Sequence, residues 1–166
     1  MLAISLLYVG AVLWVNGMML LGRVSGKGAA PLNLFTGSIT LIINIYIMLK
    51  APSGDPLSYF TAATGLLFSF TYLYVAINNA FDLEGRGFGW YCFFVAVTAL
   101  PTAVLTFQSG DFRFGVIWLL WAFLWFLFFL LLALEKPIAK FTAYVTLVEA
   151  VITCWVPGYM LLTGNW

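Results

Sequence analysis

Residues 112–134 read FRFGVIWLLWAFLWFLFFLLLAL, an apolar run with no charge after Arg113. About 20 such residues cross a bilayer as a helix, so this stretch is a membrane span. Its tryptophans are ordered. At about 100° per residue, Phe114, Trp118, Trp121, Trp125 and Phe128 fall within an arc of roughly 80°. Tryptophans that only anchor a helix cluster at its two ends, at headgroup depth. This stripe passes through the middle, so it presents flat rings to something inside the membrane. A packed helix interface or a lipid-facing surface is the bland alternative. Three indoles argue against a plain core, because each buried N–H needs a partner and small residues usually make close helix contacts in membranes.

Working outward, the other segments are of the same kind. The chain of 166 residues is 64% hydrophobic and 8% charged, too little polar material to cover a soluble domain. Six apolar segments stand at about residues 2–21, 32–49, 58–80, 88–107, 113–134 and 138–162. The gaps between them are short and carry the turn and charge signals. The expected fold is therefore an all-α integral membrane protein, six transmembrane helices forming one compact bundle of three helical hairpins over residues 1–166. Hairpins beginning near residues 2, 58 and 113 give a weak threefold pattern with a period of about 55 residues. Pro101 and Pro157 lie at similar depth in the fourth and sixth helices.

Charge sets the orientation. The first, third and fifth gaps hold Arg23, Lys27, Arg86, Lys136 and Lys140, while the second and fourth hold Lys50 and Arg113. By the positive-inside rule the odd gaps are cytoplasmic and both termini are outside. The first segment lacks a basic start and runs directly into a full span, unlike a cleavable signal peptide. A net charge of +1 speaks against nucleic acid as a partner. Cys92 and Cys154 both fall in spans, which predicts neither a disulfide nor a zinc site.

Candidate chemistry is sparse. With no histidine there is no histidine metal site, no usual catalytic triad and no common pH switch. No nucleophile lies beside a base, no carboxylates pair at one depth and no loop cradles phosphate, so neither an enzyme nor a cofactor or metal protein is expected. Leu2, Leu6, Val9, Leu13, Asn16 and Leu20 share one face of the first helix. Phe70, Tyr74, Ile77 and Phe81 share one face of the third, with Asn78 and Asn79 near its inner end. Asn44 is polar at mid-depth in the second. Glu149, in the sixth, is the one ionisable side chain well inside the membrane. Such a carboxylate normally pairs, faces water or has a function. A structural or pore-wall role fits better than transport coupling, because no basic residue lies within a span and a proton-coupled carrier needs more than one such group. Asn16, Asn44 and Asn78 also fit interhelical hydrogen bonding.

Two blocks point further. One is Leu6-Leu7-Tyr8-Val9-Gly10-Ala11-Val12-Leu13 followed by Asn16-Gly17. The other, residues 63–78, reads ATGLLFSFTYLYVAIN. With Trp118-Leu119-Leu120-Trp121-Ala122-Phe123-Leu124-Trp125 and the stretch from Glu149 to Pro157, the whole chain resembles the AmiS/UreI family of bacterial urea and amide channels. The resemblance implies a multi-pass protein of the bacterial inner membrane, a homohexamer with one pore per protomer, and urea or small amides as permeants. It implies a cytoplasmic urease or amidase consuming the substrate. It implies a pore lined by Val9, Leu13, Phe70, Tyr74, Trp118, Trp121, Leu124 and Trp125, with Asn16 and Glu149 as buried polar groups.

A slot of indole and phenol rings suits flat, neutral amides, and it offers an ion no compensation for lost water. The acid-gated members of that family carry longer, histidine-bearing outer loops, and one of them has a further tryptophan where Phe114 stands. Conduction that does not switch on in mild acid is therefore expected here, with a less polar outer mouth. Two other classes stay open. One is a proton-coupled small-amide transporter using Glu149; the other is an assembly subunit whose stripes are protein interfaces.

Overall fold

A computed structural model describes all residues, 1–166, and is entirely helical. The helices are α1 (Leu2–Leu20), α2 (Gly26–Lys50), α3 (Pro56–Phe81), α4 (Arg86–Gln108) and α5 (Phe112–Leu132). The sixth span, Ala139–Leu162, is divided into α6 (Ala139–Glu149), a π-helical stretch (Ala150–Trp155) and α7 (Val156–Leu162). All six spans are long and apolar enough to cross a membrane.

Their ends follow local chemistry. Ser25 caps α2, its hydroxyl accepting from the Gly28 N–H at 3.1 Å, which starts that helix at Gly26 rather than near residue 32. Glycine and lysine made this turn look like a gap; a capped first turn accommodates both. Asp55 and Asp111 cap α3 and α5 in the same manner. Asp82, at φ 52°, closes α3 in the left-handed conformation, and Gly54 at φ +78° turns the chain between α2 and α3.

Close packing joins α2 to α3, α4 to α5, and α1 to the sixth span. This shifts the expected hairpins by one helix, since residues 2–50 do not form the tight pair. Glycines explain the choice. A Cβ on Gly37 would lie 2.9 Å from the Leu73 backbone nitrogen, and one on Gly89 2.5 Å from that of Ala133. One on Gly10 would meet the Trp155 nitrogen at 2.9 Å, and one on Gly158 that of Leu7 at the same distance. Backbones approach this closely only where side chains vanish, and in lipid such contact replaces the hydrophobic drive between helices.

Apolar side chains cover the outside and many polar ones lie inside. Phe35, Ile42, Leu49, Phe94 and Phe112 are exposed, whereas Asn33, Thr36, Thr40, Thr142, Thr146 and Thr153 are buried. Thr40 donates to the Thr36 carbonyl of its own helix at 2.8 Å and Thr146 to that of Thr142 at 2.7 Å, whereas Thr36 reaches the Tyr8 carbonyl of α1 at 3.5 Å. Two exposed ion pairs, Lys27–Asp82 at 2.8 Å and Arg86–Glu135 at 2.6 Å, tie the first, third and fifth gaps together at one end.

Candidate functional site

Two cavities lie along the bundle between α1, α3 and α5. One, of about 320 Å³, is bounded by Leu2, Leu57 and Asp111, near the N-terminus and the second and fourth gaps. The other, of about 290 Å³, is bounded by Leu20, Leu83 and Leu132, at the end of the odd gaps. Phe68 and Trp121 belong to both linings, so these two rings form the wall between them. Their centroids are 4.6 Å apart at an interplanar angle of 73°. Trp118 stands on one side of this waist, 5.8 Å from Phe68, and Trp125 on the other, at 4.8 Å.

The α5 stripe thus faces the cavities along its length. Phe114 and Trp118 line the first, Leu124, Trp125 and Phe128 the second, and Trp121 both. On α1, Val9 lines the first cavity and Leu13 the second, as the shared face requires. Asn16 lines the second cavity and is locked to α2: its amide exchanges hydrogen bonds with Asn33 at 3.0 and 2.7 Å.

The third helix presents the opposite face from the one its aromatic spacing indicated. Phe70 is 48% exposed, Ile77 49% and Phe81 72%, and none of them lines a cavity. Tyr74 packs against Phe88 and Tyr91 of α4, with centroids 5.4 and 6.3 Å away, and lines neither cavity. Phe68 and Tyr72 stand on the linings instead, together with Thr64, Thr71, Val75 and Asn78. Two residues along a helix is a rotation of about 200°, so Phe68 and Phe70 point opposite ways. The polar positions Thr64, Thr71 and Asn78, each two turns apart, carried the correct signal. Inside a membrane, polar groups turn inward while aromatics satisfy either environment.

Polar groups on the linings are arranged by role. The hydroxyls of Thr40, Thr61, Thr64, Thr102 and Thr106 in the first cavity, and of Thr71 in the second, donate to carbonyls within their own helices. Their remaining lone pairs are free to accept. The indole N–H of Trp121 donates to Thr153 at 3.0 Å. Asn78 turns its Nδ2 to the Glu84 carbonyl at 3.4 Å, which leaves its Oδ1 buried and unpartnered. Asp111 is the one charged residue on either lining, and it caps α5 through the Phe114 N–H at 3.0 Å.

Glu149 is only 2% exposed, on neither lining, and both of its carboxyl oxygens lack a protein partner. It ends α6 where the π-helical stretch begins. Neither Thr153 nor the π segment was visible as functional in the sequence, because the bond to Trp121 spans two helices. No group of three or more histidine, cysteine or carboxylate side chains comes together to hold a metal.

Six membrane-spanning helices enclosing two cavities along α1, α3 and α5 are the architecture of a membrane transport protein. Residues 1–165 match the description "AmiS/UreI family transporter", and the chain belongs to that family. It is 46% identical to a putative amidate substrates transporter protein of Mycolicibacterium smegmatis over 98% of this chain and 77% of that protein. It is 48% identical to the putative transporter protein AmiS2 of Rhodococcus erythropolis, over 98% of this chain and 80% of that one. The acid-activated urea channel of Helicobacter pylori is 36% identical over the full length of both chains. The solved closed-state urea channel of that organism superposes with a TM-score of 0.91, at 37% identity and over 100% of each chain. The protein is therefore a multi-pass transport protein of the bacterial inner membrane, not an enzyme.

Proposed function

We propose that this protein is a passive channel for urea and small aliphatic amides, whose path runs through the two cavities and past the Phe68–Trp121 waist. The observation that carries this reading is the α5 stripe, whose tryptophan rings line both cavities in succession. A flat amide passes along the successive rings and exchanges one apolar contact for the next. Threonine oxygens already committed as donors accept its N–H groups, and the N–H groups of Trp118 and Trp125, which have no protein acceptor, serve its carbonyl. Passage needs weak binding at several points, which single neutral hydrogen bonds provide. Ions lose hydration at an apolar waist without compensation.

Val9, Leu13, Trp118, Trp121, Leu124 and Trp125 are the pore wall in this reading, with Phe68 and Tyr72 supplying the α3 side and Asn16 a polar position beyond the waist. The odd gaps face the cytoplasm, where a urease or amidase consumes the permeant, and the protomers assemble as a homohexamer with one pore each. Because the chain has no histidine and its gaps are short, conduction does not switch on in mild acid. The placement of Glu149 off both linings favours a structural role over proton coupling.

Stopped-flow swelling of proteoliposomes with urea, acetamide and glycerol, at neutral and acidic pH, tests the reading. Fast urea or acetamide entry, equal at both pH values and lost in Trp125→Ala, is the expected result. Entry no faster than in protein-free vesicles would refute it.

A further inference from the structure

Trp121 is the ring shared by both cavities, and it is the one tryptophan of α5 whose N–H is bonded to the protein. Its acceptor, Thr153 Oγ1, lies 3.0 Å away and is fully buried. Thr153 in turn donates its proton to the Glu149 carbonyl at 2.6 Å, and the Cys154 sulfur lies 3.3 Å from the Thr153 hydroxyl oxygen. An indole can only donate, whereas a hydroxyl can donate once and still accept. With its proton on the carbonyl, the Thr153 oxygen presents lone pairs to Trp121, so the direction of both bonds is determined. Thr153 lies within the π-helical stretch Ala150–Trp155. It continues the buried face of the sixth span marked by Thr142, Thr146 and Glu149, at helical spacing, and its hydroxyl meets α5 there.

We propose that Thr153 is a positioning residue for permeation: by holding the Trp121 indole N–H against the wall of the sixth span, it sets the angle and polarity of the waist and so the choice among small neutral solutes. The inference rests on the channel reading above. Held in this way, Trp121 shows the lumen an apolar plate edge-on to Phe68, while the unbonded N–H groups lie on Trp118 and Trp125 at either side. Released, the ring swings or turns its donor into the waist. The passage then admits hydroxylated solutes that the plate excludes.

The test compares urea and glycerol permeability in proteoliposomes of the wild type, Thr153→Ser, Thr153→Val, Trp121→Phe and the double variant Thr153→Val/Trp121→Phe. Thr153→Ser keeps the hydroxyl and is expected to retain the wild-type urea-to-glycerol ratio. Thr153→Val and Trp121→Phe each remove the bond from one side and should lower that ratio by about fivefold, the equivalent of one neutral hydrogen bond. The double variant should show no further change, because both substitutions act through one contact. A wild-type ratio in Thr153→Val, or additive effects in the double variant, overturns the proposal. If Thr153→Val does not fold, a wild-type ratio in Trp121→Phe overturns it equally. Should the wild type conduct neither solute, the channel reading fails. The bond is then judged separately by hydrogen exchange of the Trp121 indole N–H, which is slow in wild type and Thr153→Ser if the geometry holds and fast if it does not.

Discussion

At the scale of single residues, Phe68 and Phe70 make the sharpest contrast. They are two positions apart on one helix, yet Phe68 walls both cavities and Phe70 is 48% exposed on the outer surface. Phe68→Ala should widen the waist and lower the discrimination between urea and glycerol, at a stability cost at or below about 3 kcal/mol, the low end for aromatic truncation in a core. Phe70→Ala should leave both permeabilities unchanged. Flux assays on the two variants check this, and equal effects would remove Phe68 from the waist. The sequence made Phe70 the better-looking candidate because its stripe of apolar rings is regular. In lipid, regular apolar stripes occur on both faces of a helix, so the ring spacing alone does not say which face is inward. The α5 stripe was legible because it is dense in indoles, whose N–H groups seek partners that hydrocarbon does not supply.

At the scale of elements, the helix pairs are decided by where glycine removes a side chain. Gly89 sits against the backbone of Ala133, and an added Cβ would lie 2.5 Å from its nitrogen. Neither main chain can yield cheaply, so Gly89→Ala should destabilise the protein by about 1–3 kcal/mol, as overpacking does. Gly26→Ala is the matched control: there the Cβ meets only the Asn79 side chain, at 3.3 Å. Thermal unfolding in detergent should separate the two variants clearly, and equal midpoints would refute the close-approach account. The helix boundaries themselves were legible to within a few residues, since length and hydropathy are local properties. The exception was the start of α2, where the cap formed by Ser25 let the helix extend back through glycine and lysine.

The whole molecule is predicted to be insensitive to mild acid. Outside the spans, the Asp55 carboxyl is held below its usual value, chiefly by the hydroxyl of Ser58, against an opposing effect of burial and with further lowering by the N–H groups of Ser58 and Leu57. A carboxyl lowered on folding contributes stability that is complete above its unfolded value, about 3.9, and is lost only as pH falls from there through the folded one. Between pH 7 and 5 that group does not change state. Asp55 therefore adds no change in melting temperature across this window; with no histidine in the chain, urea flux should also stay level, and a rise in flux on acidification would contradict the ungated reading. The two ion pairs that join the odd gaps are well exposed, so Arg86→Ala should change the melting temperature little, and less still in high salt.

By itself the sequence determined the class of protein, the number and approximate limits of its spans, and the inward faces of α1 and α5. Each of these depends on the length, hydropathy or side-chain spacing of one continuous segment. Only the tertiary structure decided that α2 pairs with α3, α4 with α5 and α1 with the sixth span. It alone turned Phe68 and Tyr72 inward, and it alone placed Thr153 against Trp121. Those outcomes depend on what a neighbouring helix offers: a glycine backbone close enough to touch, or a buried hydroxyl within hydrogen-bond reach. In a membrane, where both faces of a helix can be apolar, that information lies between segments and not within them.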